Sequence, residues 1–224
     1  AEELCKLVDS HLVRWAREVG NMDVDTFIIP SDCPRFQSGD AKGLVKASTR
    51  GDDLYIFVDP GNYSVTYQLF GYENHLSPDD HFQNLMRLIQ AVAGRAHRIS
   101  VIMPSLYGGR QHRRVSRESL DCAFALQQLR DVGVKNIITF DAHDPRVMNA
   151  VPTMSFDNVM PTYQVLKCLL HHVPDVSFHK DNFMIVSPDE GAMNRNMYYS
   201  SVLGCNLGMF YKRRDYSRIV NLSL

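Results

Sequence analysis

Short apolar runs recur along this chain at Leu54 to Val58, Ile99 to Met103, Ile137 to Phe140, Phe183 to Val186 and Leu207 to Tyr211, and longer stretches of helical period separate them. Strands spaced by helices pair in parallel and bury both faces, so the alternation predicts an α/β fold with mainly parallel sheets. The helical stretches carry their own punctuation. Ser77, Pro78 and Asp80 open one that Gly94 closes, with Phe82, Leu85, Leu88, Ile89 and Val92 on its apolar face. Ser116 reads as the cap of a second, with Leu120, Ala123, Phe124, Leu126 and Leu129 as its stripe before Gly133. Pro161 starts a third, a fourth runs from Ala192 to Leu203 ahead of Gly204, and an amphipathic helix over Glu3 to Val19 precedes the first strand. "PGNYSVTYQLFGYENHLSPDD" and "HHVPDVSFHKD" read as loops, the former long enough for a lid, and "SFDNVMP" reads as a boundary.

Polar residues are expensive inside a strand buried on both faces and informative just after it. In open α/β sheets, ligands bind beyond the carboxyl ends of the strands. There the chain reads "PSLYGGRQHRR", "DAHDPR", "SPDEGAMNR" and "KRRDYSR" after four successive apolar runs. Arg110, Arg113, Arg195, Lys212 and Arg214 offer phosphate oxygens either a planar guanidinium fork or a compact ammonium charge. Asp141 and Asp189 are hard oxygen donors suited to magnesium. Taken singly, a basic run is ordinarily a solvated loop, and Asp-x-His after a strand is ordinarily a turn with a helix cap. Their recurrence at four strand ends points to a phosphorylated ligand held with a divalent cation.

The overall balance excludes other partners. Lys and Arg total 24 against 25 Asp and Glu, a net charge of -1, so the basic face that nucleic acid or an anionic membrane rewards is not expected. No stretch approaches the roughly 18 apolar residues of a membrane span and nothing resembles a signal peptide, which leads us to expect a cytoplasmic chain. Cys5, Cys33, Cys122, Cys168 and Cys205 form no C-x-x-C pair and read as reduced thiols, and His171, His172 and His179 lack ligand spacing. The P-loop, dinucleotide and G-x-S-x-G fingerprints are absent, so the phosphate chemistry falls to loops of another kind.

The order of these segments resembles ribose-phosphate pyrophosphokinases, from "RFQSGDAKGLVKASTRGDDLYIF" through "MPSLYGGRQHRRVSRESL" and "TFDAHDP" to "VSPDEGAMNR" and "YKRR". The resemblance implies that the first segment belongs to a loop that reaches ATP across a subunit interface; Phe36, Gly39 and Asp40 match it, and Ser38 stands in place of an acid. It implies nucleotide contacts for Arg110 and Gln111. Asp141 and His143 fall on the Asp-x-His motif that meets magnesium-bound nucleotide. Ser187, Pro188, Asp189 and Gly191 fall on the loop near ribose 5-phosphate and its metal, while Lys212 and Arg214 begin the mobile loop that stabilises the transferring group. Two departures stand out: His112 replaces a usual acid, and the segment from Pro60 to Pro78 is longer than expected.

What the resemblance implies is two type I phosphoribosyltransferase-like domains, one over residues 1–158 on the ATP side and the start of another over 159–224. A first strand before Ala1 and a ribose-phosphate loop beyond "IVNLSL" are expected from it, which makes the second domain incomplete in this chain. Implied too are dimers or hexamers and a reaction in which the 1-hydroxyl of ribose 5-phosphate attacks the β-phosphorus of Mg-ATP. Retained Lys212, Arg214, His143 and Asp189 favour the enzyme. A catalytically silent relative that assembles with active subunits is the alternative; a phosphoribosyltransferase that consumes the product is weaker.

Overall fold

In the computed structural model, which describes residues 1–20, 22–173 and 175–211, the chain divides into two units, 1–160 and 161–224. The first opens with α1 (Glu2–Gly20), which has no buried residue. β1 (Ser31–Asp32) and β2 (Leu44–Val45) form an antiparallel ribbon, extended toward its tip by the Arg35–Ala41 bridge. β3 (Asp53–Phe57) begins the main sheet. β4 (Thr66–Leu69) and β5 (Tyr72–His75) then make a separate hairpin before α2 (Pro78–Val92). β6 (Arg98–Ile102), α3 (Asp121–Asp131), β7 (Val134–Phe140) and β8 (Ser155–Val159) complete the unit.

The main sheet has the order β3-β6-β7-β8 and is parallel throughout. The sequence explains its packing. Phe82, Leu85, Ile89 and Val92 form the buried stripe of α2, and Ser77 closes a capping box with Asp80 at its start. They join Val101, Ile137 and residues of α3 in one apolar cluster whose members all lie between Val58 and Phe156.

Three expectations change. Ser116 does not cap α3: the helix starts at Asp121 behind Leu120, without a side-chain cap. Its buried residues are Cys122, Ala125, Leu126 and Leu129, a stripe at helical spacing that turns Phe124 outward to 62% exposure. "SFDNVMP" contains the division between the units, after Met160, but most of it is strand, since Ser155–Val159 pairs with β7 from Asn136 to Phe140 as β8. The segment read as a loop after Pro60 contains the β4–β5 hairpin, whose two-residue turn places Phe70 and Gly71 at φ 50 and 86. That is the turn geometry that matches strand twist.

In the second unit, α4 (Thr162–His172) precedes β9 (Met184–Ser187), α5 (Met193–Leu203) and β10 (Asn206–Met209). β9 and β10 pair in parallel. Gly204 ends α5 in the left-handed conformation at φ 64.

Candidate functional site

Because β6 and β7 are neighbours, the loops that leave their carboxyl ends start side by side. Pairing continues past the strands, with Met103 N donating to Ile138 O at 2.9 Å and Phe140 N to Pro104 O at 3.3 Å. The first loop carries Arg110 and Gln111. Gly108 turns it at φ 66, and a Cβ there would lie 3.1 Å from Cys122 N, so only glycine lets the loop pass this close to α3. The second loop carries Asp141 and His143. Asp141 sits at φ 48, a left-handed position that Asp tolerates better than most residues, and its N–H donates to Val159 O at 3.0 Å. Ala142 N donates to Asn158 Oδ1 at 2.9 Å, so the end of β8 fixes the turn.

The two loops meet through Asp144, which is 9% exposed. Arg146 grips its carboxylate with Nε at 2.9 Å from Oδ1 and Nη2 at 2.6 Å from Oδ2. His112 Nδ1, from the first loop, lies 3.1 Å from the same Oδ2. Hydrogen bonds from Arg146, aided by its charge and that of His112, outweigh burial and hold the Asp144 carboxyl well below the usual range. His112 in turn sits beside His143, with ring centroids 5.3 Å apart and planes tilted by 57°. The structure therefore brings Arg110, Gln111, Asp141 and His143 onto adjoining loops that meet at the close approach of His112 to Asp144. Sequence reasoning missed Asp144, and the one available signal was an Asp before Pro145, typical of a cap.

A second anchor lies at the start of α2. The Tyr107 hydroxyl donates to Asp79 Oδ1 at 2.6 Å and its ring stacks on Phe82 at 4.5 Å, tying the Arg110 loop to that helix. Bonding to Asp79, with burial, pushes the phenol up to about 12. Asp80, the next residue, accepts from Arg35 Nη2 at 2.8 Å. Arg35 leads into the ribbon tip that carries Phe36, Ser38 and Asp40. There Ser38 Oγ donates to Asp40 Oδ2 at 2.9 Å, and Lys42 Nζ lies 5.9 Å from the Phe36 ring centroid.

Asp189 and Gly191 belong to the second unit. Asp189 Oδ1 accepts from Ala192 N at 3.1 Å, and Ser187 Oγ donates to the Asp189 carbonyl at 2.7 Å. A Cβ on Gly191 would stand 3.3 Å from Asp189 Oδ1, so glycine keeps the approach to that carboxylate open. Lys212 and Arg214 lie outside the described residues. Among the described residues no group of three or more His, Cys, Asp or Glu side chains is placed to hold a metal ion. Asp141 and His143 bring a carboxylate and an imidazole to the same loop, and Asp144 is engaged by Arg146 and His112. Few protein donors suit magnesium bound with a nucleotide, because the ion takes phosphate oxygens and keeps several waters.

Known proteins resemble this chain in sequence and in fold. The model of the N-terminal domain of ribose phosphate pyrophosphokinase matches residues 2–133. Ribose-phosphate pyrophosphokinase A of Dictyostelium discoideum is 24% identical over 182 residues, covering 80% of this chain and 51% of that protein. The ribose-phosphate pyrophosphokinase of Fusobacterium nucleatum is 24% identical over 200 residues, covering 86% of this chain and 56% of that one. The chain thus spans about half the length of these relatives. The crystal structure of phosphoribosylpyrophosphate synthetase from Mycobacterium smegmatis shares the fold, with a TM-score of 0.68 at 20% identity over 89% of this chain and 60% of that chain. On the strength of the match over residues 2–133, the chain belongs to the ribose-phosphate pyrophosphokinase family, through that family's N-terminal domain.

Proposed function

We propose that the protein acts as a ribose-phosphate diphosphokinase. The 1-hydroxyl oxygen of ribose 5-phosphate bonds to the β-phosphorus of ATP, the bond from that phosphorus to the α,β-bridging oxygen breaks, and AMP leaves with the electron pair. The hydroxyl proton passes to water. One observation carries the reading: the Arg110–Gln111 loop and the Asp141–His143 loop are neighbours at adjoining strand ends, tied by His112 and Asp144. That is where an α/β sheet receives its ligand.

In this reading Arg110 and Gln111 bind the nucleotide, joined by Phe36, Ser38 and Asp40 from a second copy of the chain. Asp141 and His143 are metal donors on the nucleotide side and Asp189 is one on the ribose 5-phosphate side; magnesium would neutralise phosphate charge when bound. His143 binds and orients the nucleotide and does not abstract the proton. Asp189 and Gly191 receive ribose 5-phosphate. Lys212 and Arg214 act on charge that develops during transfer, where positioning and neutralisation supply most of the catalysis. We place the activity in dimers or hexamers and in the cytoplasm, a reducing compartment that fits five free cysteines.

Incubating the protein with ATP, Mg²⁺ and ribose 5-phosphate tests the proposal by the nucleotide released. AMP together with phosphoribosyl pyrophosphate is the expected result. ADP, or no turnover while Mg-ATP still binds, contradicts it.

A further inference from the structure

The β4–β5 hairpin pairs with no strand of the main sheet, yet it touches the ribbon tip closely. Arg35 makes the connection. Its side chain is 10% exposed, and its guanidinium is engaged in three directions. Nη1 donates to Gly39 O at 2.8 Å, inside the Phe36–Asp40 loop. Nη2 donates to Asp80 Oδ1 at 2.8 Å, in the first turn of α2. The guanidinium Cζ lies over the Tyr67 ring, in β4, 4.2 Å from the centroid.

Each partner is itself fixed. The other oxygen of Asp80 accepts from Ser77 N at 3.0 Å and Ser77 Oγ at 2.9 Å. Burial pushes this carboxyl up, but Ser77 and Arg35 more than offset it and hold it below the usual range. At the ribbon tip Gly39 adopts φ +91, and a Cβ there would meet Leu69 Cδ1 at 3.2 Å, so a hairpin leucine packs directly against the turn. The hairpin is anchored by Leu76 N donating to Val65 O at 2.8 Å and by the Tyr63 ring stacked on His75 at 4.0 Å. Phe36, by contrast, is 54% exposed and takes no part in the clamp.

We infer that the β4–β5 hairpin is a brace that fixes the Phe36–Asp40 loop in its ligand-ready position, with Arg35 and Tyr67 as positioning residues. The inference rests on the nucleotide role proposed for that loop. Two walls close around one guanidinium, Tyr67 on its face and Asp80 at its edge. A planar guanidinium can donate from its edge to Gly39 and Asp80 while lying over the Tyr67 ring, a fork that a compact ammonium lacks. Holding the loop in place before binding removes the ordering cost that a loose loop pays on capture of its ligand.

Tyr67→Leu removes the ring from the contact and Arg35→Lys the fork that joins it to Gly39 and Asp80, whereas Tyr67→Phe keeps both. Two readouts on the full chain suffice: hydrogen exchange over residues 35–42, and titration with Mg-ATP. The amides of Phe36 and Gly39 are hydrogen-bonded within the loop, to Asp40 O at 2.7 Å and Phe36 O at 2.9 Å. In Y67L and R35K they are expected to exchange roughly tenfold faster while α2 and β6 are unchanged, and Mg-ATP binding to weaken about fivefold. Y67F is expected to match the parent in both. Loop exchange unchanged in both Y67L and R35K overturns the brace. Faster exchange with undiminished Mg-ATP affinity overturns the claim that the braced position is the binding one. A parent that binds no Mg-ATP overturns the nucleotide role instead, and the exchange result alone then decides the brace.

Discussion

The two units hold their loops by different means. In residues 1–160 the strand-end loops rise from a sheet whose helices bury Phe82, Leu85, Ile89, Leu126 and Leu129 against Val101 and Ile137. In the described part of the second unit only Thr162, Ser187 and Cys205 are buried. Leu170 of α4 is 56% exposed and Met197 of α5 is 52% exposed. Among the described residues the sheet of this unit has two strands, too few to cover the helices beside it. The Arg110 and His143 loops are therefore placed by a packed core, whereas the Asp189 turn is placed by local bonds from Ser187 and Ala192.

The contrast can be broken first by truncation. Leu129→Ala, in the core, is expected to cost about 3 kcal/mol or more, and Leu170→Ala no more than about 0.5 kcal/mol, in chemical denaturation. Equal costs would remove the distinction.

Next in size is Asp144→Asn, which leaves His112 and Arg146 without their anion and is expected to cost about 1–3 kcal/mol at neutral pH. The folded carboxyl titrates below its unfolded value. Its contribution is thus complete above that unfolded value, about 4, and fades as pH falls toward the depressed folded one. Denaturation of parent and variant at neutral and at acid pH should show the gap closing on acidification. A gap independent of pH contradicts the assignment.

Tyr107→Phe should cost about 1 kcal/mol through loss of the bond to Asp79. Here the sign is reversed: a phenol pushed up to about 12 stabilises below its unfolded value near 10 and loses that effect as pH rises past it. Ultraviolet titration should lose its latest-titrating phenol in the variant. The smallest expected effect concerns the thiols. Cys122, which burial pushes up to about 11, should react last with a disulfide reagent in the native protein, and exposed Cys168 early. A Cys122 that reacts as fast as Cys168 would show the core of the first unit to be open.

Much of this was legible in the sequence because the signal was local. Apolar runs marked β3, β6, β7, β9 and β10, and the residues just after them marked the candidate site, since a buried strand tolerates charge only beyond its end. β8 was hidden because Asp157 and Asn158 interrupt its apolar pattern at the sheet edge. The α3 stripe was read out of phase because its buried positions include small Cys122 and Ala125, which carry less weight than the exposed Phe124. The hairpin was hidden because its residues pack against a ribbon tip far away in sequence. The same applies to His112 with Asp144 and to Arg35 with Tyr67: each contact joins separate loops, and no residue spacing encodes it.

If the Arg110 and His143 loops form one nucleotide site, the two side chains share a ligand. A double-mutant cycle with Arg110→Ala and His143→Ala, read by calorimetric titration with Mg-ATP, tests this most directly. The two losses are expected to be coupled by about 1 kcal/mol. Losses that add to within about 0.3 kcal/mol, or a parent that binds no Mg-ATP, would contradict it.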